Sequence, residues 1–374
     1  MVYIDIVITG LLIFPFIAAL FTFPYAIFQY NRYGSISRYR TLIIYSFILY
    51  MLIAFFMVSL PLPDLESTVG NTWQDHLNLI PLRQIWLYWH DKPLNADSFR
   101  TYLSSMALWQ LLFNILLTVP FGVYMRYYFK YSLKRTIISS FLLSLFYEIS
   151  QITALFGIYP GPYRLADVED LICNTLGGIL GYYIAAVFAL VLPSRDAIDR
   201  RSLACSGRIT GMRRFFSVLF DYIFITLVYI FLLGVVQILY PQFFEFYIYG
   251  IIYNWSFFCL VSLIQVLLTK GSTLGHAVCR MTLVSENLEA ASSWQLIKRY
   301  LFLWLFTELP LIIIGWLMNR QIVIINNFVM SLLMLGSRAY FLYYFYNALF
   351  KKGQPMPHDR LSRTFYAATR IPEK

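Results

Sequence analysis

Charged residues are scarce, at 13% of a 374-residue chain that is 59% hydrophobic, whereas an ordinary soluble domain carries about a quarter charged residues. That shortage excludes a soluble surface. Cysteine and histidine are equally thin, with four of each. Cys173, Cys205, Cys259 and Cys279 show no CxxC or other ligand spacing, so neither a disulfide framework nor a zinc site is indicated. His76, His90, His276 and His358 are scattered through loops, and no metal or cofactor is expected. No GxxxxGK[ST] phosphate loop and no nucleophile–base pair is visible, which leaves enzymatic activity uncertain and disfavoured. A cleavable signal is not expected, since the first apolar run lacks a basic leader and continues too long. The net charge of +10 does not point to nucleic acid, because the basic residues sit in short clusters between apolar runs.

What the sequence does have is apolar runs of about 20 residues, the length that crosses a hydrocarbon core about 30 Å thick. Such runs fall near 4–28, 41–60, 105–126, 137–156, 168–192, 215–239, 244–268, 300–318 and 323–349. The expected fold is an all-α polytopic membrane protein of about nine transmembrane helices. Placing the alternate connections on one side collects 23 of the 29 basic residues there and five on the other, which predicts N-terminus out and C-terminus in. Residues 193–214 are polar, basic and without helix-period apolarity. They read as a cytosolic linker between a five-helix domain over 1–192 and a four-helix domain over 215–374. The outer segment 61–104 contains an interfacial piece from His76 to Trp89, interrupted by Pro81 and read as either an anchor or a lid.

In the first domain the decisive stretch runs from Arg164 to Gly181. On a helix, Asp167, Asp170, Asn174, Gly177, Gly178 and Gly181 share one stripe about 100° wide, and Val168, Leu176, Ile179 and Leu180 face elsewhere. A polar face of this kind suits lipid outside and a polar protein interior. Asn114, Glu148 and Gln151 on the two preceding spans are side chains that hydrocarbon penalises, so they are expected to turn toward it. Arg164 stands against Glu148, Asp167, Glu169 and Asp170, a balance that favours a cation, an amine or hydroxyl-rich groups. Helix capping by Asp167, with acids in the first turn and close GxxxG packing, is the competing structural explanation.

Asn78-Leu-Ile-Pro81, Asn114 before Pro120-Phe-Gly122, Glu148-Ile-Ser-Gln151, and Arg164 followed by Asp167, Asp170, Asn174, Gly177 and Gly181 together resemble the VanZ family of bacterial membrane proteins, over about residues 40–192. Glu169 stands where the family often has a second Asp. The resemblance implies a Gram-positive cell-envelope protein in the cell membrane, connected with susceptibility to teicoplanin-like lipoglycopeptides. The expected ligand site is Asn114, Glu148, Gln151, Arg164, Asp167, Asp170 and Asn174. The expected partner is a membrane lipid or lipid-linked envelope precursor, or the glycopeptide antibiotic itself. A membrane enzyme acting on a lipid head group is the alternative from the same residues.

In the second domain Arg213-Arg214 precede Asp221, Lys270-Gly-Ser-Thr-Leu-Gly275-His276 follows, and His358-Asp359-Arg360-Leu-Ser-Arg363 lies in the tail. These elements resemble the RDD family over about 211–366, with His276 where a Lys is common. Arg214, Asp221, Arg338 and Asp359 are expected to form a polar network, with Arg299 as an additional partner. The resemblance adds ion or solute transport as an alternative function, since intramembrane acids mark pathways.

Overall fold

The computed structural model describes residues 2–81, 83, 86, 90, 103, 105–240, 254–308, 339, 340, 342–344, 346, 347 and 354–369. Arg338, the expected span over 323–349 in large part, the 244–253 end of the span expected over 244–268, the 309–318 end of that expected over 300–318, and much of the outer segment 82–104 lie outside them.

The chain is predominantly helical, as an apolar membrane segment must be: in hydrocarbon every backbone N–H and C=O has to be paired within the protein, and a helix does so locally. The helices are α1 (Val2–Tyr33), α2 (Arg38–Ser59), α3 (Met106–Tyr127), α4 (Leu133–Ile152), α5 (Val168–Val191), α6 (Arg195–Ala204), α7 (Gly211–Leu239), α8 (Asn254–Thr269), α9 (Leu274–Val278), α10 (Ser293–Thr307) and α11 (Pro357–Ser362). Five stretches among the described residues are long and apolar enough to cross a bilayer: Ile4–Tyr33, Arg38–Ser59, Leu108–Tyr127, Val168–Val191 and Gly211–Leu239. Their outward faces are bare apolar surface, with Phe16, Leu20, Leu190 and Val191 largely exposed. Such a surface is stable only against lipid or another protein. Side-chain oxygens of Ser37, Ser105, Ser132, Asp167 and Thr210 cap the helices that follow them, each satisfying a backbone donor that the first turn leaves free.

Two boundaries differ from the sequence expectation. The helix expected over 137–156 stops at Ile152, because Ala154, Leu155, Phe156 and Gly157 all have positive φ and reverse the chain in a left-handed turn. The segment 193–214 contains α6. Helix-period apolarity is missing there, but Ser194 accepts from Ala197 N at 3.3 Å, Arg195 and Asp199 form an i,i+4 pair, and Ile198 is buried. Two buried residues, Ile198 and Ser202, and local ion pairing suffice for these ten residues.

The molecule divides into two compact units, the first comprising Met1–Thr22 with Ser37–Asp199, and the second Phe23–Ile36 with Arg200–Lys374. In the first, α3 and α5 pack backbone to backbone. A Cβ on Gly122, Gly177 or Gly181 would sit 2.0 to 2.1 Å from the carbonyl oxygens of Gly178, Ile115 and Val119, respectively. Only glycine permits that approach. A parallel pair of two-residue strands, β1 (Leu77–Asn78) and β2 (Ala166–Asp167), sets Asn78 opposite Asp167. In the second unit, the antiparallel strands β3 (Met281–Ser285) and β4 (Thr364–Ala368) join the tail to the segment after α9. Its core gathers Ala26, Tyr30, Phe216, Phe220, Cys279 and Met281.

Candidate functional site

In the first unit the site grows from the start of α5. Asp167 uses one carboxylate oxygen to cap Glu169 N at 2.9 Å and the other to accept from Asn78 Nδ2 at 2.9 Å. Its own backbone N–H donates to Glu148 Oε2 at 2.8 Å. Glu148, well inside α4, is thereby fastened to the entry of α5. One turn on, Asn114 of α3 donates through Nδ2 to Asp170 Oδ1. The backbone oxygen of Asp170 accepts from Ser144 Oγ at 3.2 Å, and Ser144 Oγ accepts from Asn174 Nδ2 at 2.9 Å. Thr118 completes the junction by donating to Asn174 O at 2.7 Å. These bonds draw α3, α4 and α5 together at one level, where the glycine stripe already lets the backbones meet.

Five of the seven expected residues therefore fall into two bonded groups, Asn114–Asp170–Asn174 and Glu148–Asp167. Gln151 Nε2 reaches Val58 O at 3.4 Å, and the Arg164 guanidinium donates to Leu60 O. Both are tied to the end of α2. Three members the sequence reading left out of the set are Asn78, Ser144 and Glu169. Ser144 had a readable signal, since Ser140, Ser144, Glu148 and Gln151 repeat at helical spacing along the buried side of α4. Asn78 had only its place in a short motif, because the contact joins positions 89 residues apart.

The cluster contains buried acceptors without partners, beside unpaired hydroxyls of Ser59, Ser140 and Tyr147 in the same unit. Gln151 Oε1, Glu169 Oε1 and Asn174 Oδ1 are buried and have no hydrogen-bond partner among the described residues. A buried polar atom left unpaired costs about 1–3 kcal/mol, and all three of these atoms accept only. Chemically, the group is fit to receive N–H or O–H donors.

The second unit is balanced differently. Asp359 is almost fully buried and pairs with Arg299; Arg214 lies 3.6 Å from its other oxygen, and Met356 N donates to it at 2.8 Å. Burial pushes the Asp359 carboxyl upward, but Arg299 and His358 outweigh it and hold the group well below the usual carboxylate range. Arg299 also donates to Thr364 Oγ1 at 3.0 Å and to Tyr366 Oη at 2.7 Å. Both Arg214 and Arg299 stack over the Tyr366 ring, each 4.8 Å from its centroid. Arg214 and Asp359 of the expected network thus meet. Asp221 instead accepts from Thr273 Oγ1 and, at 2.7 Å, from Gly275 N. Gly275 is held so close that a Cβ there would lie 2.1 Å from Ser217 O. Arg338, the remaining expected member, lies outside the described residues. His276 and His358 are additional members, standing in the two motifs that carry the resemblance though outside the expected network. Burial lowers the pKa of His276 to about 3, with Arg299 adding to the effect, so it is neutral where a Lys would be charged. Arg213, next to Arg214, is fully buried and serves the backbone, donating to the carbonyls of Ser206, Arg208, Cys279 and Arg280.

Residues 43–189 match the family model described as VanZ/LLP1, and residues 210–363 match that of the RDD family. No curated protein and no solved structure matches the chain.

Proposed function

The chain is a polytopic membrane protein that carries a VanZ-like domain followed by an RDD-family domain, and from that premise we propose that its VanZ-like unit binds the head group of a lipid-linked or amphiphilic envelope molecule at the outer leaflet of the cell membrane. Binding there alters susceptibility to teicoplanin-like lipoglycopeptides in a Gram-positive envelope. The observation that carries the reading is the set of buried, unpaired acceptors at Gln151, Glu169 and Asn174 beside the Asn114–Asp170 pair. A head group bearing a primary amine or hydroxyls supplies the missing donors. Arg164, at the same end of the unit, contacts an anionic group of the same ligand.

The test has two arms. Glu148→Gln, produced at unchanged membrane level, is expected to remove any change in lipoglycopeptide susceptibility that the native chain confers; unaltered susceptibility counts against the site. With the purified chain, an amphiphile carrying a primary amine is expected to bind more tightly than its N-trimethylated counterpart, which has no N–H to donate. Equal affinity removes the donor argument.

A further inference from the structure

In the second unit the end of α1 and the start of α7 lie level with one another. Phe23 packs on Phe220 with 4.6 Å between ring centroids, and Tyr30 sits beside Phe216 at 6.1 Å. Positions fall along α1 as they rise along α7, so the helices run antiparallel, and Tyr33 at the end of one is level with Gly211 at the start of the other. Both belong to stretches long and apolar enough to cross a bilayer. This level is therefore at one face of the membrane.

Three arginines gather there. Arg32 is in the last turn of α1, and Arg208 stands just before α7. The buried Arg213 brings in the third, since its guanidinium donates to Ser206 O at 2.6 Å, Arg208 O at 3.2 Å, Cys279 O at 2.7 Å and Arg280 O at 2.5 Å. The backbones of Arg208 and Arg280 thus converge on one side chain. Arg280 reaches Asn31, next to Arg32, donating to its carbonyl oxygen at 3.2 Å and to its side-chain oxygen at 3.0 Å. Those bonds leave most of the five donors of its guanidinium unused. Arg32 and Arg208 are exposed, and none of the three forms an ion pair among the described residues. Asp221, the acid of α7, is taken up by Thr273 and Gly275.

We propose that Arg32, Arg208 and Arg280 form a binding site for the phosphate of an anionic phospholipid, in the leaflet where α1 ends and α7 begins. Guanidinium groups match phosphate oxygens with paired N–H donors, and basic residues at a membrane surface attract anionic lipid. The site also has an apolar side. Phe28, one turn deeper on α1, is 52% exposed, and Met212 at the start of α7 is 38% exposed; acyl chains run along both. A soluble anion meets the same donors but gains nothing from that apolar surface, and a choline lipid brings a fixed positive charge toward three guanidiniums. An anionic lipid satisfies both sides. The site lies in the second unit and does not depend on head-group binding in the first.

Native mass spectrometry of the full chain in detergent, titrated with phosphatidylglycerol or with phosphatidylcholine of the same acyl chains, tests the site. Phosphatidylglycerol is expected to bind several-fold more tightly; equal affinity overturns the proposal. Arg208→Gln and Arg32→Gln are each expected to weaken phosphatidylglycerol binding about fivefold, and unaltered affinity in both overturns the assignment. Arg360→Gln removes the same charge from an exposed position on α11 and is expected to leave the affinity unaltered. A loss equal to that of Arg208→Gln means attraction to net charge without a site, which also overturns it. Inorganic phosphate at the concentration of the lipid is expected not to displace it; displacement replaces the lipid with a soluble anion.

Discussion

The two units bury similar numbers of acids but treat them in opposite ways. In the second, Asp359 is met by two guanidiniums, and Asp221 by a hydroxyl and a backbone N–H. In the first, Asp167 and Glu148 are met by amide donors alone, Asp170 by Asn114, and three acceptor oxygens are left over. A buried carboxylate held by charged partners fastens helices, and removing either partner is expensive. A cluster held by neutral amides, with acceptors left unpaired, is weaker as a fastening and better suited to a visiting ligand. The difference separates structural polarity from binding polarity within one chain.

The sharpest way to break this comparison is at Asp359. Asp359→Asn leaves the buried Arg299 without its counterion, and the expected loss is about 3–5 kcal/mol in urea or thermal unfolding of the detergent-solubilised protein. A loss no greater than that of a surface substitution means the pair is not a fastening. Next in size is Gly181→Ala, which puts a Cβ 2.0 Å from Val119 O; overpacking of this kind costs about 1–3 kcal/mol. It is expected to disrupt the α3–α5 contact, seen as reduced disulfide trapping between cysteines introduced on the two helices.

Acid separates the units further. His276 is held neutral in the folded chain by burial, and burial lowers the pKa of His358 as well. When the chain unfolds each regains an ordinary pKa of about 6.5, so below that pH the unfolded state binds the extra protons and stability falls with pH. For His276 the slope is expected to run from about pH 6.5 down to about 3, at no more than about 1.4 kcal/mol per pH unit. Above that window it vanishes. His276→Gln, which retains an acceptor for the Thr273 N–H, is expected to flatten part of the slope; a melting temperature whose pH dependence is unaltered contradicts the assignment.

The smallest effect sharpens the comparison from the other side. Glu169→Gln removes a carboxylate whose Oε1 is unpaired, and is expected to leave stability within about 1 kcal/mol of the native chain while weakening binding of a primary-amine amphiphile. A large destabilisation places Glu169 among the fastenings instead.

Much of this was legible from residue order alone. The run of apolar segments, the glycine stripe of Gly177, Gly178 and Gly181, and the inward set of Asn114, Glu148, Asp170 and Asn174 all follow from composition and from a helical period that acts over neighbouring turns. The capping of α5 by Asp167 was legible for the same reason, since its partner is two residues away. The left-handed turn after Ile152 was not, because three of its four positions carry side chains that disfavour positive φ, and nothing local announces it.

What the sequence by itself determined, then, is that the chain is built largely of apolar helices, five of them among the described residues long enough to cross a membrane, and which of their faces are polar, because transfer out of water and helical periodicity are properties of short stretches. The tertiary structure alone decided the pairings. Asn78 finds Asp167 through two strands 89 residues apart, Arg299 finds Asp359 across 60 residues, and Asp221 is met by Thr273 and Gly275 rather than by a guanidinium. A buried carboxylate demands a partner, but the demand is met equally well by an arginine, an amide or a backbone N–H. Which of them arrives is settled by the packing of distant helices.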